Sequence, residues 1–226
     1  MNCRNLSDVY EVAARAAINE RFATAYLHDI RGSMQALFSA LELLGRSARK
    51  GSSDLDRVEK ACALAQRAID FHEKSTLDAL HILTLQDTEC AAVGIAAVLN
   101  DVVHFLRNEA ANKEVTVSLL GTAPLSVAAE RARLQTLLVG LVADAIDATP
   151  AGTALPITVS SEDSFAVISI GSNAGYAVDN ATDDLPRELT LRFARQFLSD
   201  NGGRLEIDTA ALPRGSLRLY YPLTAE

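Results

Sequence analysis

The sequence predicts an α + α/β protein: a long helical hairpin that forms a dimeric four-helix bundle, followed by an α+β sandwich. Two observations predict the hairpin: apolar residues repeat at 3-4 spacing from Leu27 to Leu44, and residues 6–48 contain no proline. The third observation is a change after about residue 88, where short helical and strand-like stretches alternate. These patterns divide the chain into a hairpin domain, 1–87, and a sandwich domain, 88–226.

The first helix is predicted over about residues 6–48. A heptad seam of this kind needs a partner helix, because a helix of that length cannot bury its apolar stripe alone. The seam residues are Leu27, Ile30, Met34, Leu37, Leu41 and Leu44.

The second helix is predicted from about residue 54 to 86, after the loop "RSARKGSSD". Gly51 can end the first helix, and Ser52 or Ser53 can cap the second. The expected antiparallel register places residues from about Ile69 to Leu83 opposite residues from about Tyr26 to Asp8. One hairpin cannot bury its seam together with the aromatic residues that flank it, so we predict a homodimer of two hairpins.

The second half of the sequence predicts helices that pack on one face of an antiparallel sheet. A helix is expected in "AVGIAAVLNDVVHFLRNEAANKE", a strand in "VTVSLLG", and a strand followed by a helix in "LSVAAERARLQTLLVGLVADAIDATPAG". A hairpin turns at Glu162–Asp163, and a helix runs from Pro186 until Gly202–Gly203 ends it. "RLEIDTAALPRGSLRLYYPL" is the closing hairpin.

Charge and cysteine content exclude several classes of function. The formal net charge of −8 repels phosphate backbones and anionic lipid, so we expect no nucleic-acid partner. No apolar run reaches the length of a membrane span, and the first twenty residues lack the apolar core of a signal peptide. The three widely spaced cysteines form no metal pattern. We therefore expect a cytoplasmic protein without membrane insertion and without a bound metal.

The stretch "YLHDIRGSMQALFSALELL" places His28 beside Asp29 at the head of the seam. With Leu27 at heptad position a, His28 falls at position b, outside the seam and open to solvent. A neutral imidazole is a competent nucleophile near pH 7, and a neighbouring carboxylate can hold its tautomer. Arg31 could attract phosphoryl oxygens or pair with an acidic side chain.

Taken together, the hairpin, the His-Asp pair and the sandwich resemble the sensor histidine kinase core over residues 5–224. In that family a dimerisation and phosphotransfer hairpin precedes an ATP-binding domain of the Bergerat type. His28-Asp29-Ile30-Arg31 match the family's phosphoacceptor motif, and Gly32-Ser33 replace its usual Thr-Pro. The resemblance implies that His28 is the phosphoacceptor, with Asp29 and Arg31 as its catalytic neighbours.

The resemblance also implies that the ATP site is degenerate. Gly140 and Asp144 stand where the family's metal-binding helix carries two asparagines. Ser172, Ala174 and Tyr176 fall in the box that normally reads Asp-x-Gly-x-Gly. "PRELTL" supplies no glycine where the phosphate-side box should be. We therefore expect no nucleotide cofactor.

A phosphoacceptor histidine on a bundle with a failed ATP site is similar to the ChpT-like histidine phosphotransferases. The expected activity is a phosphotransferase that shuttles phosphoryl between response-regulator aspartates through His28. The partners would be receiver domains, docking near Gln35 and Arg67. Two alternatives stay open: an unusual ATP-dependent sensor histidine kinase, and a non-catalytic pseudokinase that sequesters a response regulator.

Overall fold

The computed structural model describes residues 3–49, 55–83, 89–121, 124–171, 185–208 and 216–224. Two long helices come first, and three shorter helices and seven strands follow. In chain order these are α1 (Cys3–Arg49), α2 (Leu55–Leu83), β1 (Cys90–Gly94), α3 (Ile95–Asn112), β2 (Thr116–Leu120), β3 (Ser126–Glu130), α4 (Arg131–Ala148), β4 (Ala154–Glu162), β5 (Phe165–Gly171), α5 (Leu185–Asp200), β6 (Arg204–Asp208) and β7 (Ser216–Pro222).

The predicted helical hairpin and α+β sandwich are confirmed, and most element boundaries agree with the sequence patterns. The predicted capping residues Gly51, Ser52 and Ser53 lie outside the described residues. One element differs, because a strand occupies the start of the stretch expected to be wholly helical. This strand, β1, pairs along its full length with β3, and extended Gly94 (φ −71°, ψ 116°) delays the helix until Ile95.

The main sheet has five strands in the order β2-β4-β5-β7-β6. All neighbouring pairs are antiparallel, as expected, except β2 and β4, which are parallel. A parallel pair needs a crossover connection, and here β3 and α4 supply it. The crossover carries α4 across one face of the sheet, where it contacts α3, α5 and β5.

Side chains from α3, α4 and α5 form one core with the inner face of this sheet. Alternate residues of the strands point into it and exclude solvent, as the period of two in a β-strand requires. The largest side chains that are fully buried in this core are Phe193, Phe197, Ile95, Leu99, Leu106, Leu134, Leu137, Leu138, Leu141, Ile146, Leu155 and Ile157.

The outer face of the sheet is covered by charged and aromatic side chains. Tyr220 alternates with inward-facing Leu219 and Tyr221, yet it is only 4% exposed. Arg204 places its guanidinium carbon 3.8 Å from the Tyr220 ring centroid, Arg218 lies 5.2 Å away, and both arginines pair with glutamates. Stacked guanidinium groups therefore shield this aromatic ring in place of a second layer.

The turn after α5 requires glycine at position 203. A Cβ there would lie 2.2 Å from the carbonyl oxygen of Tyr220, which no side chain tolerates. The Gly203 amide donates to the Leu198 carbonyl at 2.7 Å, and Gly202 adopts a positive φ of 74°. The predicted helix end at Gly202–Gly203 is confirmed, and the close approach of β7 explains the second glycine.

Tyr221 should make the sandwich sensitive to alkali. Its hydroxyl donates to the Ala128 carbonyl at 3.0 Å, and burial raises the pKa of Tyr221 to about 12. An unfolded tyrosine ionises near pH 10, so between about pH 10 and 12 unfolding releases a proton and wild-type stability falls. Up to about 2–3 kcal/mol of stability present below pH 10 is lost in this window.

Tyr221→Phe removes that ionisation. The free energy of unfolding of both proteins is measured with urea from pH 8 to 12. At pH 8 the wild type should be more stable than Tyr221→Phe, and this difference in stability should shrink as the pH approaches 12. Other tyrosines titrate in both proteins and cancel in the comparison. An advantage that stays constant over this range would contradict the assignment.

The described chain packs as two compact units. One contains residues 19–84, which include most of α1 and all of α2. The other contains residues 85–226 together with the first eighteen residues of α1. The division into domains at residue 87 stays a prediction, because compact packing does not test independent folding. No helix among the described residues has the length and apolar character needed to cross a bilayer.

Candidate functional site

His28 and Asp29 lie within α1, as the sequence predicts. The structure describes their backbone, and their side chains fall outside the described part. Arg31 and Gln35 follow on the same helix, and both are exposed. The backbone carbonyl of Gln35 accepts a hydrogen bond from the Ser39 hydroxyl at 2.9 Å, and the Gln35 side chain takes no part in this bond.

A hydrogen-bond relay fixes the register of the hairpin close to this motif. The Tyr26 and Thr76 hydroxyls lie 2.9 Å apart, and Thr76 donates to the His72 carbonyl at 2.8 Å. Because Thr76 has one hydroxyl proton, Tyr26 must be the donor in the first bond. Tyr26 thus lies opposite Thr76, which is inside the range predicted to face the first helix. The alignment is shifted by about two helical turns, because the antiparallel register placed residue 69 opposite Tyr26.

The seam between α1 and α2 runs through smaller residues than the sequence pattern indicated. Ser33 and Ala40 are buried, and they lie on the same face as Tyr26 at spacings of three and four. Small side chains let two helices approach closely, so this stripe faces α2. The buried and half-buried positions along it are Tyr26, Ile30, Ser33, Leu37, Ala40, Leu44 and Ser47.

Half of the predicted seam is therefore exposed on a neighbouring stripe of α1. Leu27 is 64% exposed, Met34 42% and Leu41 60%, and Phe38 beside them is 66% exposed. The pattern of large apolar residues in the sequence predicted this exposed stripe as part of the seam. The residues that contact α2 lie on the adjacent stripe of smaller side chains. We call Leu27, Met34, Phe38 and Leu41 the open stripe.

An open cavity of about 340 Å³ lies between the two helices, starting one turn after His28. Ser33 lines it and is held by a hydrogen bond to the Ile30 carbonyl at 2.9 Å. On the other side is Arg67, whose Nε donates to the Ala63 carbonyl at 3.2 Å. Its walls are formed by Gly32, Ser33, Ala36, Leu64, Arg67, Ala68 and Phe71.

The structure thus brings one predicted docking residue, Arg67, beside the helix that carries His28, on the wall of a concave surface. Gln35 is not among the residues that line this cavity. The described residues contain no group of three or more histidine, cysteine, aspartate or glutamate side chains placed to hold a metal ion.

On the sandwich, Gly140 is buried in the middle of α4. A Cβ at this position would lie 2.8 Å from Thr190 Cγ2 and 3.0 Å from Ile18 Cδ1. Position 140 therefore has no room for a larger side chain unless its neighbours move. Asp144, one turn further along α4, is half-buried. Ser172, Ala174 and Tyr176 lie outside the described residues.

Near the start of α4, Arg133 joins three helices. It donates to Glu11 of α1 at 2.6 Å, and its guanidinium carbon lies 5.3 Å from the Phe197 ring centroid in α5. Burial acts to lower the pKa of Arg133, but the carboxylates of Glu11 and Glu130 outweigh it and raise the pKa above its ordinary value. Arg133 therefore stays charged.

Glu11, Ile18 and Arg133 were not among the predicted functional residues. A glycine inside an otherwise apolar helix usually marks a close approach of another element, and Gly140 gave that signal. Nothing local in the sequence identifies Ile18 as the element that approaches.

No protein-family model matches the chain, and no curated protein matches it significantly in sequence. The fold is that of the histidine kinase core.

Among solved structures, the chain is similar to the Acinetobacter baumannii histidine kinase AdeS, with a TM-score of 0.51 and 16% identity over 88% of this chain and 98% of that one. A histidine kinase from Burkholderia phymatum gives a TM-score of 0.51 at 13% identity, covering 92% and 98%. Full-length ShkA in complex with AMPPNP gives 0.52 at 19%, covering 92% of this chain and 46% of ShkA.

Proposed function

We propose that the protein is a histidine phosphotransferase of a two-component phosphorelay, which carries phosphoryl between response-regulator aspartates through His28 without binding ATP. The observation that carries this proposal is the packing at Gly140. The family places an amide there, whereas here Ile18 and Thr190 fill the space. A sandwich closed at that point supports a phosphoryl source other than ATP.

The proposed transfer is a displacement at phosphorus. The imidazole nitrogen of His28 attacks the phosphoryl group of a receiver aspartyl phosphate. The new N–P bond forms while the P–O bond to the aspartate breaks, and the aspartate leaves as a carboxylate. The proton on the other ring nitrogen stays near Asp29, which holds the tautomer and stabilises the charged ring. The reverse reaction loads a second receiver.

The partner proposed for this step is a receiver domain that docks on the hairpin. A phosphorylated receiver presents negative charge around its aspartate, and exposed Arg31 and Arg67 offer positive charge near His28. The cavity that begins at Gly32 provides a concave, mainly apolar surface for a protruding element of the receiver. Gln35, which is exposed on the same helix but does not line the cavity, is the other proposed docking residue.

We also propose that the working form is a homodimer, made through the open stripe. Four large apolar side chains exposed on one helix face are an unusual surface for a monomer. On α2, Leu55 and Ile69 are 79% and 47% exposed, and they align with Cys62 at seven-residue spacing. Two hairpins that pair through these stripes would form a four-helix bundle.

The decisive experiment supplies two phosphoryl sources to the purified protein. Labelled ATP is added alone in one reaction, and a phosphorylated response regulator from the same cell is added in the other. We expect label from the regulator and none from ATP. Label taken from ATP would make the protein a histidine kinase, and no label from either source would leave a pseudokinase that binds regulators without chemistry.

A further inference from the structure

We propose that the α4–α5 face of the sandwich is a helix-binding groove, and that its occupant is the Glu11–Ile18 segment of the chain's own first helix. In this arrangement Gly140 is the socket that receives Ile18. The segment acts as a latch that closes the face to other partners. The inference concerns the sandwich and does not depend on phosphoryl transfer at His28.

Two side chains of α1 contact this face, and a third, buried side chain lies between them on the same helix surface. Glu11, Ala14 and Ile18 are separated by three and four residues, so they lie in line along α1. The Glu11 side chain is 13% exposed, Ala14 is completely buried and Ile18 is 6% exposed. Ala14 and Ile18 are the two buried residues of this stretch, and the neighbouring positions Val12 and Asn19 are exposed.

The groove recognises both ends of the segment by different chemistry. At one end, Arg133 binds the Glu11 carboxylate and lies over Phe197, so a carboxylate is selected. At the other end, Ile18 enters the space that the missing Cβ of Gly140 leaves beside Thr190. The groove thus selects a helix with an acidic residue seven positions before a branched apolar residue.

Release of the latch needs few contacts to break. Among the described residues, the segment contacts this face through the Glu11–Arg133 ion pair and the Ile18 side chain, with Ala14 buried between them. A short segment held in this way can open locally at a lower free energy than global unfolding. Opening would expose Arg133, Phe197 and the socket at Gly140 together. Any residue larger than glycine at position 140 should bias the latch toward the open state.

Hydrogen exchange on the full chain tests this proposal. Ile18→Ala should raise amide exchange in residues 9–18 and around Gly140 at least about tenfold, because a buried side chain is lost from the socket. The strands β4 and β5 should be unaffected. Gly140→Ala should have the same effect by steric displacement. Gly45→Ala is the matched control, because its new methyl would meet only Arg49 at an ordinary 3.7 Å.

The double variant makes the test specific. Gly140→Ala should add less in the Ile18→Ala background than in the wild type, because the clash with the Ile18 side chain is gone. Independent effects of the two substitutions, or unchanged exchange in residues 9–18, would overturn the latch. If Gly140→Ala does not fold, the Ile18→Ala result alone decides. Phosphotransfer by the same variants is measured separately, so failure of the latch and failure of the proposed function are distinguishable.

Discussion

His28→Ala should abolish phosphoryl uptake from a phosphorylated receiver while the dimer persists. Alanine removes the nucleophilic nitrogen and favours the helix, so α1 should stay intact. The measurement is transfer of labelled phosphoryl from the receiver, followed by gel separation, with sedimentation of the same sample. Asp29→Asn should slow uptake by about 100-fold or more, since it loses the carboxylate that orients and stabilises the ring.

His104→Ala is the matched control, because His104 is an exposed histidine on α3 of the sandwich. It should transfer phosphoryl at the wild-type rate. If His28→Ala is labelled to the same extent as the wild type, another residue accepts the phosphoryl group. Loss of the dimer in His28→Ala would show instead that the histidine is a structural residue of the bundle.

Phe38→Asp should convert the dimer to a monomer. Phe38 is the most exposed side chain of the open stripe, and burial of one phenylalanine contributes about 1.5–3 kcal/mol. A two-fold interface contains the substitution twice, and the new carboxylates would be buried without partners. The dissociation constant should rise by at least about 100-fold, as measured by sedimentation equilibrium.

Ser39→Asp supplies the control for this substitution. It introduces the same charge at the next residue, which is exposed and outside the open stripe, so the dimer should remain. Cysteine alkylation, read by peptide mass spectrometry, gives an independent readout. In the wild type, Cys62 should be alkylated more slowly than Cys90. In Phe38→Asp, the alkylation rate of Cys62 should rise. Equal reactivity of Cys62 in both proteins would argue that the stripe of α2 is not an interface.

The sequence predicted the elements well where local chemistry determines them. The hairpin between β4 and β5 turns at Asp163–Ser164, one residue later than predicted, because Glu162 still pairs with Phe165. The helix α5 ends before Gly202, where a positive φ and a close strand demand glycine. The heptad seam stays a prediction for the dimeric bundle, since half of it is exposed on a single hairpin. The contact between α1 and α2 was missed for a physical reason. Periodicity counts large apolar residues, whereas α1 and α2 approach through Ser33 and Ala40, which are small.

For the candidate site, the sequence predicted in which helices its residues lie, whereas their functional roles stay predictions. The placement of His28 in α1 and of Gly140 in α4 follows from sequence, because both lie in strongly patterned helices. The contact of Ile18 with Gly140 could not be predicted, since a contact between residues so distant in the chain leaves no local pattern. The parallel pairing of β2 with β4 depends in the same way on the crossover through α4.

The Glu11–Ile18 segment of α1 is synthesised well before the sandwich residues that it contacts. Glu11 leaves the ribosome 122 residues before its partner Arg133. At about 5–20 residues per second, this interval lasts roughly 6 to 24 seconds. During it, Glu11 and Ile18 lack their partners Arg133 and Gly140, and the sandwich closes only after α5 has followed. The Glu11–Ile18 segment is thus made before the sandwich that it contacts, and it is among the last parts of the fold to reach its native neighbours.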